Sequence, residues 1–131
     1  MIKMRSQAKI LVVDDNPDVL NLLRQVITQA GHAVRVATDG DQALKLAARE
    51  DFDLLITDLI MPGKEGVETI LAFRKKYPRT RIIAMSGGGN TASAQDLLGI
   101  VQSMGVASTL AKPFSRDELL TRINGELAMQ A

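Results

Sequence analysis

The sequence predicts a doubly wound α/β fold built on one parallel sheet. Five short apolar runs alternate with segments of helical periodicity, which is the pattern of a repeated βα unit. The chain has 131 residues, of which 46% are hydrophobic and 24% charged, so one domain with a real core is expected and a disordered chain is not. The apolar runs cover residues 9–13, 33–37, 53–57, 81–85 and 107–111.

The first two predicted helices lie between the first three runs. The first has clear boundaries, because Asn16 is a capping residue type and Pro17 suits the first helical turn. Gly31 is expected to end it. The second is predicted over about 40–49, where alanine and leucine recur at helical spacing.

Three more helices are predicted further along the chain, at about 65–76, at about 92–104 and after Ser115. The first of them should end before Pro78, because a residue that precedes proline avoids helical geometry. Ser115 and Glu118 match the S-x-x-E capping box, which marks the start of the last helix.

Charge and residue types exclude several function classes. Sixteen Lys and Arg against fifteen Asp and Glu leave a net charge of +1, so no direct nucleic-acid partner is expected. The chain has no cysteine, and no apolar run approaches the ~20 residues of a membrane span. We therefore expect a cytoplasmic protein without a membrane partner. His32 is the only histidine, and we expect it at the surface rather than in a metal cluster or as a phosphoryl carrier.

Polar residues follow four of the five apolar runs. Since the carboxyl ends of parallel strands share one edge of the sheet, we expect these side chains to converge there. Three carboxylates without His or Cys suit a hard cation such as Mg²⁺, and an added ammonium and hydroxyl suit a phosphoryl group. An Asp carboxylate is then the candidate phosphoryl acceptor. The converging residues are Asp14, Asp15, Asp58, Ser86 and, before Pro113, Lys112.

These motifs resemble the receiver domain of two-component response regulators, the family of the chemotaxis response regulator. The resemblance extends over about 9–127, and its motifs are DD at 14–15, DLIMPGKEG at 58–66, Ser86 and the KP pair at 112–113. It implies a flavodoxin-like (βα)5 fold with strand order 2-1-3-4-5.

Domain boundaries are predicted on the same basis. We expect residues 1–8 to form an N-terminal extension and residues 9–128 the receiver domain. No linker or like-charge block follows, so no output domain is expected.

The resemblance also implies a metal site. Asp58 would be the phosphoryl acceptor, and Asp15 and Asp58 would bind Mg²⁺ directly. Asp14 would act mostly through metal-bound water, and the backbone carbonyl of Ile60 would complete the protein ligands.

The resemblance further implies a donor and a switch. A sensor histidine kinase or a histidine phosphotransfer protein would supply the phosphoryl group from a phosphohistidine. Lys112 would pair with that group and with Asp58, and Ser86 would bond a phosphoryl oxygen after transfer. The face formed by helix 4, strand 5 and helix 5 would then change its contact with an unidentified downstream protein. A cis peptide is expected at Lys112–Pro113.

The sequence departs from the family in three respects. Thr109 stands where the family often has Tyr or Phe, so we expect switching to depend more on the loop after the fourth strand. That loop opens with Gly87–Gly89 and is expected to be mobile until phosphorylation orders it. Ile60 and Gly88 cannot orient an attacking water through their side chains, which predicts slow self-dephosphorylation.

Three alternatives compete with a stand-alone signalling domain that is not an enzyme in its own right. The first is an Mg²⁺-dependent aspartyl-phosphate hydrolase of the haloacid dehalogenase type, but Asp58 lacks the second Asp of its D-x-D pattern. The second is a receiver fragment of a longer transcriptional or enzymatic regulator. The third is a receiver-like module that never accepts phosphate.

Overall fold

The computed structural model describes residues 7–59, 66–87, 99–106 and 108–129. Its strands are β1 (Lys9–Val13), β2 (Ala33–Ala37), β3 (Leu54–Asp58), β4 (Arg81–Ser86) and β5 (Ser108–Ala111). They form one parallel sheet in the order β2-β1-β3-β4-β5. The predicted fold class and strand order are therefore confirmed.

Helices pack on both faces of this sheet. Residues 99–103 are the described part of the fourth helix, α4, and the predicted segment 92–98 lies outside the described residues. Among the described residues, every helix is too short or too polar to span a bilayer. The other helices are α1 (Pro17–Gln29), α2 (Gly40–Ala47), α3 (Gly66–Lys76) and α5 (Arg116–Ala128).

Two strands extend one residue further than predicted. Asp58 and Ser86 were expected directly after the third and fourth apolar runs, but they are the last residues of β3 and β4. Asp58 pairs with Met85 across the ladder, and Ser86 pairs with Ala111. Both side chains are therefore fixed by strand geometry rather than carried by a loop.

Side-chain caps define the helix starts as the sequence predicts. The Asn16 side chain accepts a hydrogen bond from the Asp18 amide at 2.9 Å at the start of α1. Ser115 and Glu118 form both hydrogen bonds of the predicted capping box on α5. Gly31 follows α1 with a φ of 97°, in the left-handed region where glycine is favoured.

The core lies in two layers, one on each face of the sheet. Alternate residues of the central strands point to opposite faces, because side chains alternate along a strand. Leu11 and Leu55 pack on the side of α2, α3 and α4, whereas Ile10 and Leu54 pack on the side of α1 and α5. All five residues of β3 are buried. The strand that carries Asp58 is thus held from both sides.

A buried ion pair ties α5 to the amino end of the sheet. The Glu126 side chain is 6% exposed and accepts hydrogen bonds from Arg81, the first residue of β4, at 3.1 Å and from Ser108, the first residue of β5, at 2.5 Å. No local sequence pattern identifies Glu126 as buried, because its partners are remote in sequence. One carboxylate therefore joins α5 to two strands.

The expectation that His32 lies at the surface is wrong. Its side chain is 9% exposed, and its Nδ1 accepts a hydrogen bond from the Ala8 amide at 2.9 Å. The bond forms because the chain turns at Gly31 and brings residue 32 beside the segment that enters β1. Burial lowers the pKa of His32, although the negative charge of Asp53 partly opposes this shift.

We expect the free energy of unfolding to decrease as the pH falls, because His32 is protonated more readily in the unfolded chain than in the folded one. A histidine whose pKa is lowered in the folded state contributes stability above its ordinary pKa of about 6.5, and this contribution is lost as the pH falls below that value. One proton limits the slope to about 1.4 kcal/mol per pH unit. Urea unfolding at about pH 7.5 and about pH 5.5, roughly one unit on either side of that pKa, should show a smaller loss of stability for His32→Gln than for the original chain. Equal losses would contradict this assignment.

Candidate functional site

The five predicted site residues all lie at the carboxyl edge of the sheet, at or just after the ends of β1, β3, β4 and β5. They are Asp14, Asp15, Asp58, Ser86 and Lys112. Asp14 follows β1, and its amide donates to the carbonyl of Ala37 at the end of β2. The Lys112 amide donates to the Ser86 carbonyl at 2.9 Å, which continues the pairing of β5 with β4 by one residue. Since β2 and β3 lie on opposite sides of β1, this edge includes the point where the strand order reverses.

Three carboxylates meet at this edge. Asp14, Asp15 and Asp58 each offer an oxygen within 4.8 Å of the others. Asp14 is fully buried and Asp58 nearly so, whereas Asp15 is exposed. Carboxylates this close repel unless a cation or a proton compensates their charge. An all-oxygen donor set fits a hard cation such as Mg²⁺, and an exposed ligand leaves the set open to solvent.

Lys112 supplies one compensating charge. Its Nζ lies 2.6 Å from Oδ2 of Asp14 and 3.2 Å from Oδ2 of Asp58. Burial disfavours the ammonium, but the hydrogen bond to Asp14 and the charge of Asp58 outweigh burial and raise the pKa of Lys112. The ammonium is therefore charged at neutral pH. Within the described residues, this one cation therefore faces three carboxylates.

Asp14 is engaged on both oxygens. Oδ1 accepts from the Asn16 amide at 2.9 Å, and Oδ2 accepts from Lys112. These bonds fix the carboxylate plane and connect it to the start of α1. Asp14 therefore orients the ammonium as well as adding charge.

The other predicted residues lie on or beside β4 and β5, or outside the described ranges. Ser86 has a buried side chain, and Thr109 is partly exposed and pairs with Ala84. The peptide between Lys112 and Pro113 is cis, as expected. The predicted roles of Ile60, Gly88 and Gly89 fall on residues outside those the structure describes.

Gly66 is a residue of this site that the sequence analysis quoted only as the end of a motif. A Cβ at this position would lie 1.9 Å from the carbonyl oxygen of Asp58 and 2.6 Å from Cα of Leu59. The Gly66 amide also donates to the Leu59 carbonyl at 3.1 Å. The start of α3 thus rests directly on the backbone of Asp58, which only glycine permits.

The fold and the site together define a flavodoxin-like α/β protein with an acidic cluster and a lysine at the strand-order reversal. The sequence matches the family model described as "Response regulator receiver domain" over residues 10–124. The chain belongs to this family, whose members are phospho-accepting signalling domains of two-component systems.

Curated and solved relatives agree with this assignment. The chain is 37% identical over 119 residues to "Transcriptional regulatory protein CpxR" of Escherichia coli K12, covering 91% of this chain and 49% of CpxR. It thus spans about half the length of this relative. It is 29% identical to the chemotaxis response regulator CheY4 of Vibrio cholerae, with a TM-score of 0.80 over 92% of this chain and 98% of CheY4. It is also 30% identical to the response regulator TrrA of Thermotoga maritima, solved in complex with Mg²⁺-BeF, with a TM-score of 0.78 over 91% and 98%.

We expect Gly66→Ala to destabilise the fold by about 3 kcal/mol or more, because the added methyl group would collide with backbone that cannot rotate away. Gly125→Ala is the matched control. Gly125 lies within α5 with nothing within 4 Å of an added Cβ, so alanine there should be neutral or stabilising by up to about 1 kcal/mol. Urea unfolding measures both, and equal stabilities would contradict the close approach.

Proposed function

We propose that this chain is a phospho-accepting switch in which Asp58 takes a phosphoryl group from a phosphohistidine in an Mg²⁺-dependent reaction. One observation carries the proposal. The carboxylates of Asp14, Asp15 and Asp58 lie within 4.8 Å of one another, and the Lys112 ammonium is 3.2 Å from Asp58. Opposite charges in this arrangement suit a transferring phosphoryl group, whose oxygens carry spread negative charge.

The transfer itself requires little covalent chemistry from the protein. A carboxylate oxygen of Asp58 attacks phosphorus and forms a P–O bond, while the P–N bond to the donor imidazole breaks and the imidazole keeps the electron pair. Lys112 is placed to bond a phosphoryl oxygen, because its ammonium already lies beside the acceptor carboxylate. A bound Mg²⁺ would share the negative charge of the phosphoryl oxygens.

The donor set supports distinct roles for the three carboxylates. We assign Asp15 and Asp58 as direct metal ligands, with the backbone carbonyl of Ile60. Asp14 already has both oxygens hydrogen-bonded to the protein, which suits contact with the metal through water. TrrA, a similar response regulator, was solved in complex with Mg²⁺-BeF, which supports the proposal that this chain also binds Mg²⁺.

The output is proposed as a change of protein contacts. Ser86 is buried on the strand next to β5 and pairs there with Ala111, so turning its hydroxyl to a phosphoryl oxygen would alter packing against β5, the strand that also carries Thr109. The new dianion would favour the conformer that can bond it. We infer that the α4, β5 and α5 face then binds a downstream protein differently.

The donor is proposed as a sensor histidine kinase or a histidine phosphotransfer protein. The proposed activity needs only the receiver itself. The proposed activity therefore applies equally to a domain that acts alone and to one domain of a longer regulator. CpxR is about twice as long as the part that this chain matches.

We expect incubation with Mg²⁺ and acetyl phosphate to add one phosphoryl group, because the acceptor and its ammonium partner are already in contact. Intact mass measures the adduct, which should be absent in Asp58→Asn and with a chelator. Asp18→Asn is a suitable control, since Asp18 lies in the first turn of α1 and is not a member of the acidic cluster. An adduct that persists in Asp58→Asn would refute the acceptor assignment.

We also expect the phosphoryl group to be lost slowly, because the side chains at Ile60 and Gly88 cannot hydrogen-bond an attacking water. The double variant Ile60→Asn with Gly88→Glu should shorten the half-life of the adduct, followed by mass after removal of the donor. An unchanged half-life would count against this explanation.

A further inference from the structure

The small net charge of the chain conceals a strongly basic segment at residues 74–81. This segment holds five of the sixteen Lys and Arg and no acid, so the rest of the chain carries eleven cations against fifteen acids. It forms the last turn of α3, the following loop and the first residue of β4. The five cations are Arg74, Lys75, Lys76, Arg79 and Arg81.

Only one of these cations is neutralised within the described residues. Arg81 pairs with Glu126, whereas the other four are exposed and form no salt bridge with any residue that the structure describes. The carboxyl end of α3 favours nearby cations through its dipole, which helps to explain Arg74, Lys75 and Lys76. Arg79 lies beyond the helix and has no such explanation.

The loop that carries Arg79 is held in place. The Thr80 amide donates to the Tyr77 carbonyl at 3.0 Å, and the Thr80 hydroxyl donates to the Phe52 carbonyl at 2.9 Å in a buried bond. The Tyr77 ring packs against Phe73 with 5.3 Å between centroids. The cations therefore stand on ordered backbone, which lowers the entropy lost when a partner binds.

An apolar side chain lies beside the cations. Leu71 is 58% exposed and lies one helical turn before Lys75 on α3. We name Leu71, Arg74, Lys75, Lys76 and Arg79 the basic surface. Its partner should therefore offer carboxylates together with an apolar group.

Acidic residues limit the extent of the basic surface. A cavity of about 870 Å³ adjoins Lys76 and Arg79, and Asp51 and Asp53 line the same cavity. A long polyanion such as DNA would meet these carboxylates, whereas a short acidic segment would not need to reach them. The carboxylates of Asp51 and Asp53 therefore favour a short acidic protein segment over a nucleic acid as the ligand of the basic surface.

We propose that the basic surface binds an acidic segment of a partner protein, with at least two carboxylates flanking an apolar side chain. The basic surface lies toward the amino end of β4, and Ser86 lies at the carboxyl end, about 16 Å away along the strand. Binding is therefore independent of phosphorylation and does not rest on the function proposed for Asp58.

The test uses a labelled peptide of alternating Glu, Asp and Leu, with a Gln, Asn and Leu peptide as the neutral control. Fluorescence anisotropy at low ionic strength should show binding of the acidic peptide alone. Lys75→Glu with Arg79→Glu should weaken binding by about tenfold or more. Lys45→Glu with Arg49→Glu is the matched control, because it makes the same charge change at the end of α2, and it should bind nearly as the original chain does.

Several results would overturn the proposal. These are no binding of the acidic peptide, equal binding of both peptides, or equal loss in the two charge-reversed variants. The proposal of a protein partner would also be overturned if duplex DNA or phosphatidylserine vesicles bound more tightly than the acidic peptide and lost that binding in Lys75→Glu with Arg79→Glu. Asp58→Asn should bind the peptide unchanged, so failure of the phosphoryl acceptor and failure of the basic surface are separable. Circular dichroism establishes that each variant is folded.

Discussion

The repulsion among three carboxylates at the carboxyl edge of the sheet is the constraint on which the rest of the site depends. Asp14, Asp15 and Asp58 lie within 4.8 Å of one another, and one ammonium faces two of them. Among the described residues, Lys112 is the cation that pairs with these carboxylates, and one positive charge against three carboxylates favours a divalent cation. If protein cations neutralised all three carboxylates, the cluster would no longer attract a divalent cation.

Rigid strands make this close grouping possible. Asp58 ends a strand buried on both faces, and Gly66 brings the start of α3 against its backbone carbonyl. The Asn16 amide donates a hydrogen bond to the Asp14 carboxylate, and the Lys112 amide donates one to the Ser86 carbonyl. Asp14, Asp58 and Lys112 are therefore each anchored through backbone hydrogen bonds as well as through their side chains.

The sequence was sufficient for features that depend on local pattern. Alternating βα periodicity predicted the sheet, and polar residues after apolar runs predicted Asp58 and Lys112. It was insufficient where the deciding neighbour is remote in sequence. His32 is buried because Ala8 needs an acceptor, and Glu126 is buried because Arg81 and Ser108 bind it. Periodicity alone assigns polar residues to the surface and cannot reveal such partners.

Two groups of like charge lie at opposite ends of β4. The acidic cluster lies at the carboxyl edge, and four cations without a salt bridge to any described residue lie toward the opposite end of β4, about 16 Å away along that strand. At physiological ionic strength the screening length is about 8 Å, so direct electrostatic influence between the two ends is weak. Any coupling between them must pass through packing, and β4 is the direct route. It carries Ser86 at one end and, at the other, Arg81, which Glu126 ties to α5.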